Sequence, residues 1–247
     1  MLIYPSILTL DFSQVESQIK AAVAGGADGI HVDVMDGQFV PPITFGSPII
    51  EAINSVTNLP LDIHMMVIEP DRFFADFVDA GAKSITVHFE AVEDIGQTLA
   101  KLDSLGVNKS LALNPETEIK KSFPYLAQLD QILIMSVNPG YGGQSFIESS
   151  LQKIEQVKNQ IVKQGLSTNI QVDGGINHET ISAVAHAGAD IVVEIGRASC
   201  RARVSISVVA ASLKKKTPPP PPPLRSSSPP ISLTIPLHPC PFSPLTA

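Results

Sequence analysis

The sequence predicts an α/β protein, a single (β/α)8 barrel of the TIM type followed by a disordered, proline-rich tail. Short apolar runs recur along most of the chain, amphipathic stretches separate most of them, and three runs share nearly the same lead-in. Repeated α-turn-β units indicate a parallel sheet with helical crossovers. A chain of 247 residues is long enough for one large barrel domain.

Eight apolar runs have the character of buried strands. They read LIYPSIL, GIHVDVM, LDIHMMV, SITVHFE, KSLALNP, QILIMSV, NIQVDGG and DIVVEIG. The lead-ins AGGADGIHV, DAGAKSITV and HAGADIVV each join a helix end, a glycine turn and a strand. Eight units fit a closed barrel better than an open doubly wound sheet. The open sheet remains the alternative, although the first strand lacks the glycine-rich turn of a dinucleotide-binding sheet.

Two of the intervening stretches show clear helical spacing. Residues 12–24 place apolar side chains on one face, after a candidate N-cap at Asp11. Residues 148–165 repeat that pattern and end at Gly165, a typical helix-terminating residue. Both stretches are predicted to be crossover helices.

Composition divides the chain into a barrel domain, residues 1–193, and a tail, residues 194–247. Seven of the 17 lysines and arginines and one of the 24 acidic residues lie in the tail, which leaves ten basic and 23 acidic residues before it. Twelve of the 21 prolines also lie in the tail. Such a segment is predicted to be disordered, with a proline-rich ligand as the alternative role. The acidic barrel argues against a nucleic-acid partner.

The cysteines and apolar segments narrow the class of protein further. Both cysteines, Cys200 and Cys240, lie in the tail, so the barrel has no disulfide or catalytic cysteine. No secretory leader is visible, and no segment has the roughly 20 apolar residues of a membrane span. These observations predict a cytoplasmic protein without a membrane partner.

Polar side chains recur at the carboxyl ends of the predicted strands, where barrels carry their active sites. They are Ser6 on the first strand, His31 and Asp33 on the second, His64 on the third and Asp173 on the seventh. Because residues two apart share a strand face, His31 and Asp33 point the same way. Two imidazoles and two carboxylates would suit Zn, Fe, Mn or Co, without choosing among them.

The same residues also have a purely structural interpretation. A single strand histidine is more often a hydrogen-bonded core residue than a ligand, and His88 is assigned to that class. Asp62 shares the His64 face but lies deeper, so it is predicted to be a buried hydrogen-bonding residue. Four polar residues at the ends of three strands nevertheless favour a functional site over a chance arrangement of core residues.

Two glycine-rich turns follow the sixth and seventh strands, in NPGYGGQ and DGGIN. Their backbone N–H groups could bind a phosphate, because phosphate sites in barrels often lie after strands seven and eight. The alternative is that these glycines only shape tight turns.

Six ordered segments resemble the ribulose-phosphate 3-epimerase family from Leu2 to about Val193. They are PSILTLDF, HVDVMDGQFVPPITFG, LDIHMMVIEP, TVHFEA, MSVNPGYGGQSF and QVDGGIN. The resemblance implies a (β/α)8 barrel that interconverts D-ribulose 5-phosphate and D-xylulose 5-phosphate with one divalent metal ion. Its substrate would be a phosphorylated ketopentose, and we expect a homo-oligomer.

The resemblance also implies roles for individual residues. His31, Asp33, His64 and Asp173 match the metal ligands, and the two aspartates match the acid–base pair. Two bases are needed because a proton leaves one face of C3 and another returns to the opposite face. The metal would stabilise the enediolate as a Lewis acid. The matching substrate contacts are Ser6, Met35, His64, Met66, Met135, Gly140, Tyr141, Gly142, Gly143, Gly174 and Gly175.

The chain departs from the family after its eighth strand. Glu194 and Ile195 stand where a small residue and a glycine of the phosphate site are expected, and no final amphipathic helix follows. A carboxylate there would repel a phosphate. The segment EIGRASCRARV resembles a translated sequencing adapter, so we hypothesise that residues 194–247 are an artefact that replaces the last helix.

Three other functions remain open from the sequence. The chain could be an epimerase of a phosphorylated ketohexose, or a phosphosugar decarboxylase or synthase on a similar barrel. Two histidine ligands count against a decarboxylase or synthase. The third alternative is an inactive, truncated barrel that binds anions or misfolds.

Overall fold

The computed structural model describes residues 1–194, which form a (β/α)8 barrel and confirm the predicted fold class. All eight predicted strands are present. They are β1 (Leu2–Pro5), β2 (Ile30–Met35), β3 (Leu61–Met66), β4 (Ala82–His88), β5 (Asn108–Leu113), β6 (Gln131–Met135), β7 (Asn169–Asp173) and β8 (Ile191–Glu194). The predicted disordered tail and the missing last helix lie outside the described residues, apart from Glu194.

The sheet is parallel throughout, in the order β1-β8-β7-β6-β5-β4-β3-β2. A parallel bridge between Ser6 and His31 brings the two ends of this order together. The strand ends that carry the candidate residues therefore meet around one mouth, as the barrel topology requires.

Helices cross over between most pairs of strands. They are α1 (Val15–Ala24), α2 (Ser47–Asn54), α3 (Phe74–Asp79), α4 (Ile95–Ser104), α5 (Ser150–Gln164) and α6 (Ile181–Ala187). The helix predicted over residues 12–24 begins as a 3₁₀ turn, which Asp11 caps by accepting the backbone N–H of Ser13. Helix α5 is followed directly by Gly165, whose φ of 66° is the left-handed conformation that favours glycine.

The connection between β5 and β6 differs from the others. It holds two 3₁₀ turns, Ile119–Ser122 and Leu126–Gln128, and no α-helix. Pro124 lies between the turns, and a proline inside a helix removes a backbone hydrogen bond and clashes with the preceding turn.

Side chains alternate along each strand between two buried regions, one between the sheet and the helices and one inside the barrel. In β2, Ile30, Val32 and Val34 pack into the main apolar core, which lies between the strands and the helices. His31 and Asp33 alternate with them, so their side chains face into the barrel. The helix-facing side is thus hydrophobic, and the barrel interior carries the polar side chains. No helix among residues 1–194 is long and apolar enough to cross a membrane.

Candidate metal and acid–base site

Four side chains from three strands converge inside the mouth of the barrel. His31 and Asp33 come from β2, His64 from β3, and Asp173 ends β7. The strand register places Asp33 directly beside His64. All four are at least 95% buried, and each offers a nitrogen or oxygen atom within 4.8 Å of the others.

The distances within this cluster fit a divalent cation. Asp33 Oδ1 lies 3.3 Å from His31 Nε2 and 3.1 Å from His64 Nδ1, and Asp173 Oδ2 lies 3.8 Å from His64 Nδ1. His31 Nε2 and Asp173 Oδ1 are buried without a hydrogen-bond partner. Buried polar atoms are nearly always paired, so these unpaired atoms call for a ligand between them. Two imidazoles and two carboxylates are a donor set that such a cation accepts.

Asp62 holds His31 from below, as the predicted buried hydrogen-bonding residue would. Its Oδ2 lies 2.8 Å from His31 Nδ1 and accepts a hydrogen bond of 2.7 Å from Gln171 Nε2. Its other oxygen accepts from the Ser84 hydroxyl. A carboxylate bound to one imidazole nitrogen directs the other nitrogen, here Nε2, toward the cluster.

His88, assigned to the core from the sequence, contacts a candidate ligand directly. Its Nε2 lies 2.8 Å from His64 Nε2, and burial lowers its pKa to about 4. Its position on the inward face of β4, next to β3, was the signal that sequence reasoning could have used. The distance to His64 follows from the barrel and not from either strand alone.

The two aspartates have opposite electrostatic environments. Burial alone would raise the pKa of Asp33, but the charge of the neighbouring His31 holds it well below its usual range. Burial, together with the charge of Asp33, raises the pKa of Asp173 to about 7. Without a bound cation, Asp33 is thus ionised, whereas Asp173 exchanges its proton near neutral pH. Such a split is typical of an acid–base pair.

Ser6 lies against the cluster. Its hydroxyl donates a 2.6 Å hydrogen bond to Asp33 Oδ2 and accepts one from the backbone N–H of Leu8. Asp33 is therefore oriented by Ser6 on one oxygen and approached by the histidines on the other.

The predicted methionines surround the space above the cluster. Met35, Met66 and Met135 line one pocket together with Asp33 and Asp173, and each methionine is at most 3% exposed. The remaining lining residues are Leu8, Val137, Asn138, Pro139, Gly140 and Tyr141. Three thioether side chains therefore border the space in front of the two carboxylates.

The glycine turns are only partly brought into this pocket. Gly140 and Tyr141 line it, whereas Gly142, Gly143, Gly174 and Gly175 do not. Packing accounts for Gly174, because a Cβ there would lie 2.3 Å from a Val137 methyl group, at a φ of 109°.

Glu194 belongs to the barrel, although the sequence analysis placed it in the tail. It ends β8 beside Pro5, and its carbonyl accepts the backbone N–H of Ser6. Alternation along the strand puts its side chain on the helix-facing side with Val192. The repulsion of a phosphate by this carboxylate stays a prediction. Burial raises its pKa to about 7.

Comparisons with known proteins give the same assignment as the six motifs. The chain matches the ribulose-phosphate 3 epimerase family over residues 2–199, six residues beyond the boundary expected from the motifs. It is 46% identical over 190 residues to a ribulose-phosphate 3-epimerase of Bacillus subtilis, covering 76% of this chain and 88% of the relative. It is 43% identical over 195 residues to a chloroplastic ribulose-5-phosphate-3-epimerase of Arabidopsis thaliana, covering 78% of this chain and 69% of the relative.

A solved 3-hexulose-6-phosphate synthase shares the fold. Its TM-score is 0.65 at 18% identity, over 88% of this chain and all of that structure. That likeness concerns the barrel alone. The family match and the two sequence relatives are specific, and the chain belongs to the ribulose-phosphate 3-epimerase family.

Proposed function

We propose that this chain interconverts D-ribulose 5-phosphate and D-xylulose 5-phosphate by inverting C3, with Asp33 and Asp173 as the two proton-transfer groups. One observation carries the proposal: two buried carboxyl groups, from β2 and β7, line one pocket and belong to one cluster of four candidate metal ligands. A two-base inversion needs one group that accepts a proton and another that already holds one.

The proton transfers balance as follows. The ionised carboxylate of Asp33 removes the C3 proton, and the electron pair moves into the adjacent carbonyl group to give an enediolate. Asp173, which takes up a proton from solvent during the cycle, then donates that proton to C3 from the opposite face. In the reverse direction the two residues exchange roles, as microscopic reversibility requires.

A divalent cation held by His31, Asp33, His64 and Asp173 would supply the positive charge that stabilises the anionic intermediate. Zn, Fe, Mn and Co all remain candidates for this donor set. Ser6 keeps Asp33 oriented through its 2.6 Å hydrogen bond.

The three methionines would protect the intermediate from stray protons. Met35, Met66 and Met135 present thioether groups, which are apolar and have no proton to donate. Their burial beside both carboxylates supports this role. The phosphate would lie at the glycine turns of residues 140–143 and 174–175, at the carboxyl ends of β6 and β7. The third turn of this site, after β8, lies outside the described residues.

Activity measurements on ribulose 5-phosphate test the proposal. Asp33→Asn and Asp173→Asn should each lower kcat by about 10²–10⁴-fold, because each removes a proton-transfer group. Asp79→Asn is the matched control: this exposed residue ends α3, at the opposite end of the barrel from the mouth. Full activity in either site variant, or after complete removal of metal, would contradict the mechanism.

The substrate size is tested in the same assay. Fructose 6-phosphate replaces the pentose phosphate, and turnover of the pentose should be faster. Faster turnover of the hexose phosphate would favour the ketohexose alternative. Cytoplasmic location and assembly into a homo-oligomer stay predictions from the sequence.

A further inference from the structure

A chain of hydrogen-bonding groups runs from His64 away from the pocket. His88, the last residue of β4, meets His64 edge to edge: their Nε2 atoms are 2.8 Å apart, their ring centroids 5.0 Å apart, and their ring planes differ by 25°. On its other nitrogen, His88 Nδ1 lies 3.3 Å from Glu90 Oε2. Phe39 packs on the His88 ring at 4.7 Å, so the ring is held between two neighbours.

The groups in this chain determine where the protons lie. A carboxylate only accepts, so His88 Nδ1 must carry the proton shared with Glu90. The neutral His88 ring then has a lone pair on Nε2, and a hydrogen bond between the two Nε2 atoms requires that His64 be the donor. In that arrangement His64 Nδ1, which lies 3.1 Å from Asp33 Oδ1 and 3.8 Å from Asp173 Oδ2, would hold a lone pair and would require a cation between it and the two carboxylates. That is the form of imidazole that binds a metal ion.

Glu90 is fixed by the loop that follows β5. Its Oε1 accepts the backbone N–H of Asn114 at 3.0 Å and also the hydroxyl of Thr117. Lys153 of α5 donates to the carbonyl groups of Asn114 and Thr117, at 3.3 and 2.7 Å. The carboxylate that ends the chain of contacts therefore has a defined position, although its side chain is 23% exposed.

We infer that His88 and Glu90 are positioning residues that hold His64 with Nε2 as the donor and Nδ1 directed at a divalent cation. The inference rests on the proposed function for the role of His64 as a ligand. His31 receives the same support from one carboxylate, Asp62, whereas His64 receives it through a second imidazole. The site would thereby be linked to the loops after β4 and β5.

Binding of Co²⁺, measured by competition with a chelator, tests the inference without substrate. His88→Phe keeps an aromatic ring against Phe39 but removes the acceptor for His64 Nε2–H, and should weaken Co²⁺ binding about 10–100-fold. His88→Gln offers a carbonyl oxygen in place of Nε2 and should restore most of the affinity. Asp79→Asn, an exposed residue at the opposite end of the barrel, is the control.

Proton spectra of the Zn²⁺-loaded protein with ¹⁵N-labelled histidine provide a second measurement. Wild type should show a downfield, slowly exchanging His64 Nε2–H signal that His88→Phe loses. If His88→Phe does not fold, Glu90→Leu at the partly exposed end of the chain should weaken Co²⁺ binding at least about tenfold. Unchanged Co²⁺ affinity in the folded variants, or a His64 proton on Nδ1, would overturn the inference. A wild type that passes both tests but fails to epimerise would contradict only the proposed function.

Discussion

Replacing Asp62 separates a charge effect from a hydrogen-bonding effect beneath the candidate metal site. The carboxylate is 1% exposed and accepts from three donors: His31 Nδ1, Gln171 Nε2 and the Ser84 hydroxyl. In Asp62→Asn, the carbonyl oxygen can still accept from His31 and Gln171, while the amide donates to a rotated Ser84 hydroxyl. Only the charge is lost. Asp62→Leu removes all three acceptor contacts.

The structure sets different magnitudes for the two variants. Asp62→Leu leaves three buried donors unpaired at about 1–3 kcal/mol each, or about 3–9 kcal/mol of stability in total. That is a large part of the roughly 5–15 kcal/mol that stabilises an ordinary domain. Asp62→Asn should remain folded and bind Co²⁺ about tenfold more weakly, a loss of about 1.4 kcal/mol, because an uncharged partner makes His31 a weaker ligand.

Two measurements check this prediction. Thermal unfolding in excess chelator reports stability, and chelator competition reports the Co²⁺ dissociation constant. Asp79→Asn, at the far end of the barrel, serves as the control for both. An Asp62→Asn protein that binds Co²⁺ within twofold of wild type, or an Asp62→Leu protein with an unchanged unfolding temperature, would refute the reasoning.

Three further predictions concern the glycine turns after β6 and β7, the carboxyl group of Asp173 and the methionines of the pocket. Gly143→Ala should lower the free energy of unfolding by about 1–2 kcal/mol, because its φ of 77° is unfavourable for alanine. Gly175→Ala should lower it further, because the new Cβ would also lie 2.5 Å from the backbone nitrogen of Phe146. Equal losses in thermal unfolding would contradict this prediction. The pKa of Asp173 is raised to about 7, and Asp33 and Asp62 raise the pKa of His31 well above its usual value. Because both Asp173 and His31 must lose a proton to bind a cation, Co²⁺ affinity should fall as the pH drops from 7 to 5, with about two protons released per ion at pH 6 in calorimetry. A pH-independent affinity would argue against this prediction. Met66→Leu conserves side-chain volume and should keep kcat within about threefold of the wild-type value. Met66→Gln places an N–H donor beside the intermediate and should lower kcat further. A lower kcat for the leucine variant than for the glutamine variant in steady-state assays would exclude the proposed role.

The strands and the four clustered residues could be predicted from the sequence because both follow from alternation. Because side chains alternate along a strand, His31 and Asp33 lie on the face opposite Val32. The closed barrel then brings the carboxyl ends of all eight strands to one mouth, even if the exact first residue of each strand is not known. The contact between His64 and His88 could not be predicted in this way, since it depends on the distance between two rings inside the closed barrel. Glu194 was assigned to the tail because the barrel domain was taken to end at residue 193, although the apolar run DIVVEIG continues past it.

The central claim is that two aspartates act in turn on C3, and turnover of ribulose 5-phosphate in D2O tests it most directly. If one carboxyl group removes the C3 proton and the other donates a solvent-equilibrated one, the xylulose 5-phosphate of the first turnovers should carry about one deuterium atom at C3. Product that keeps its original hydrogen at C3 would show that a single group removes and returns the same proton.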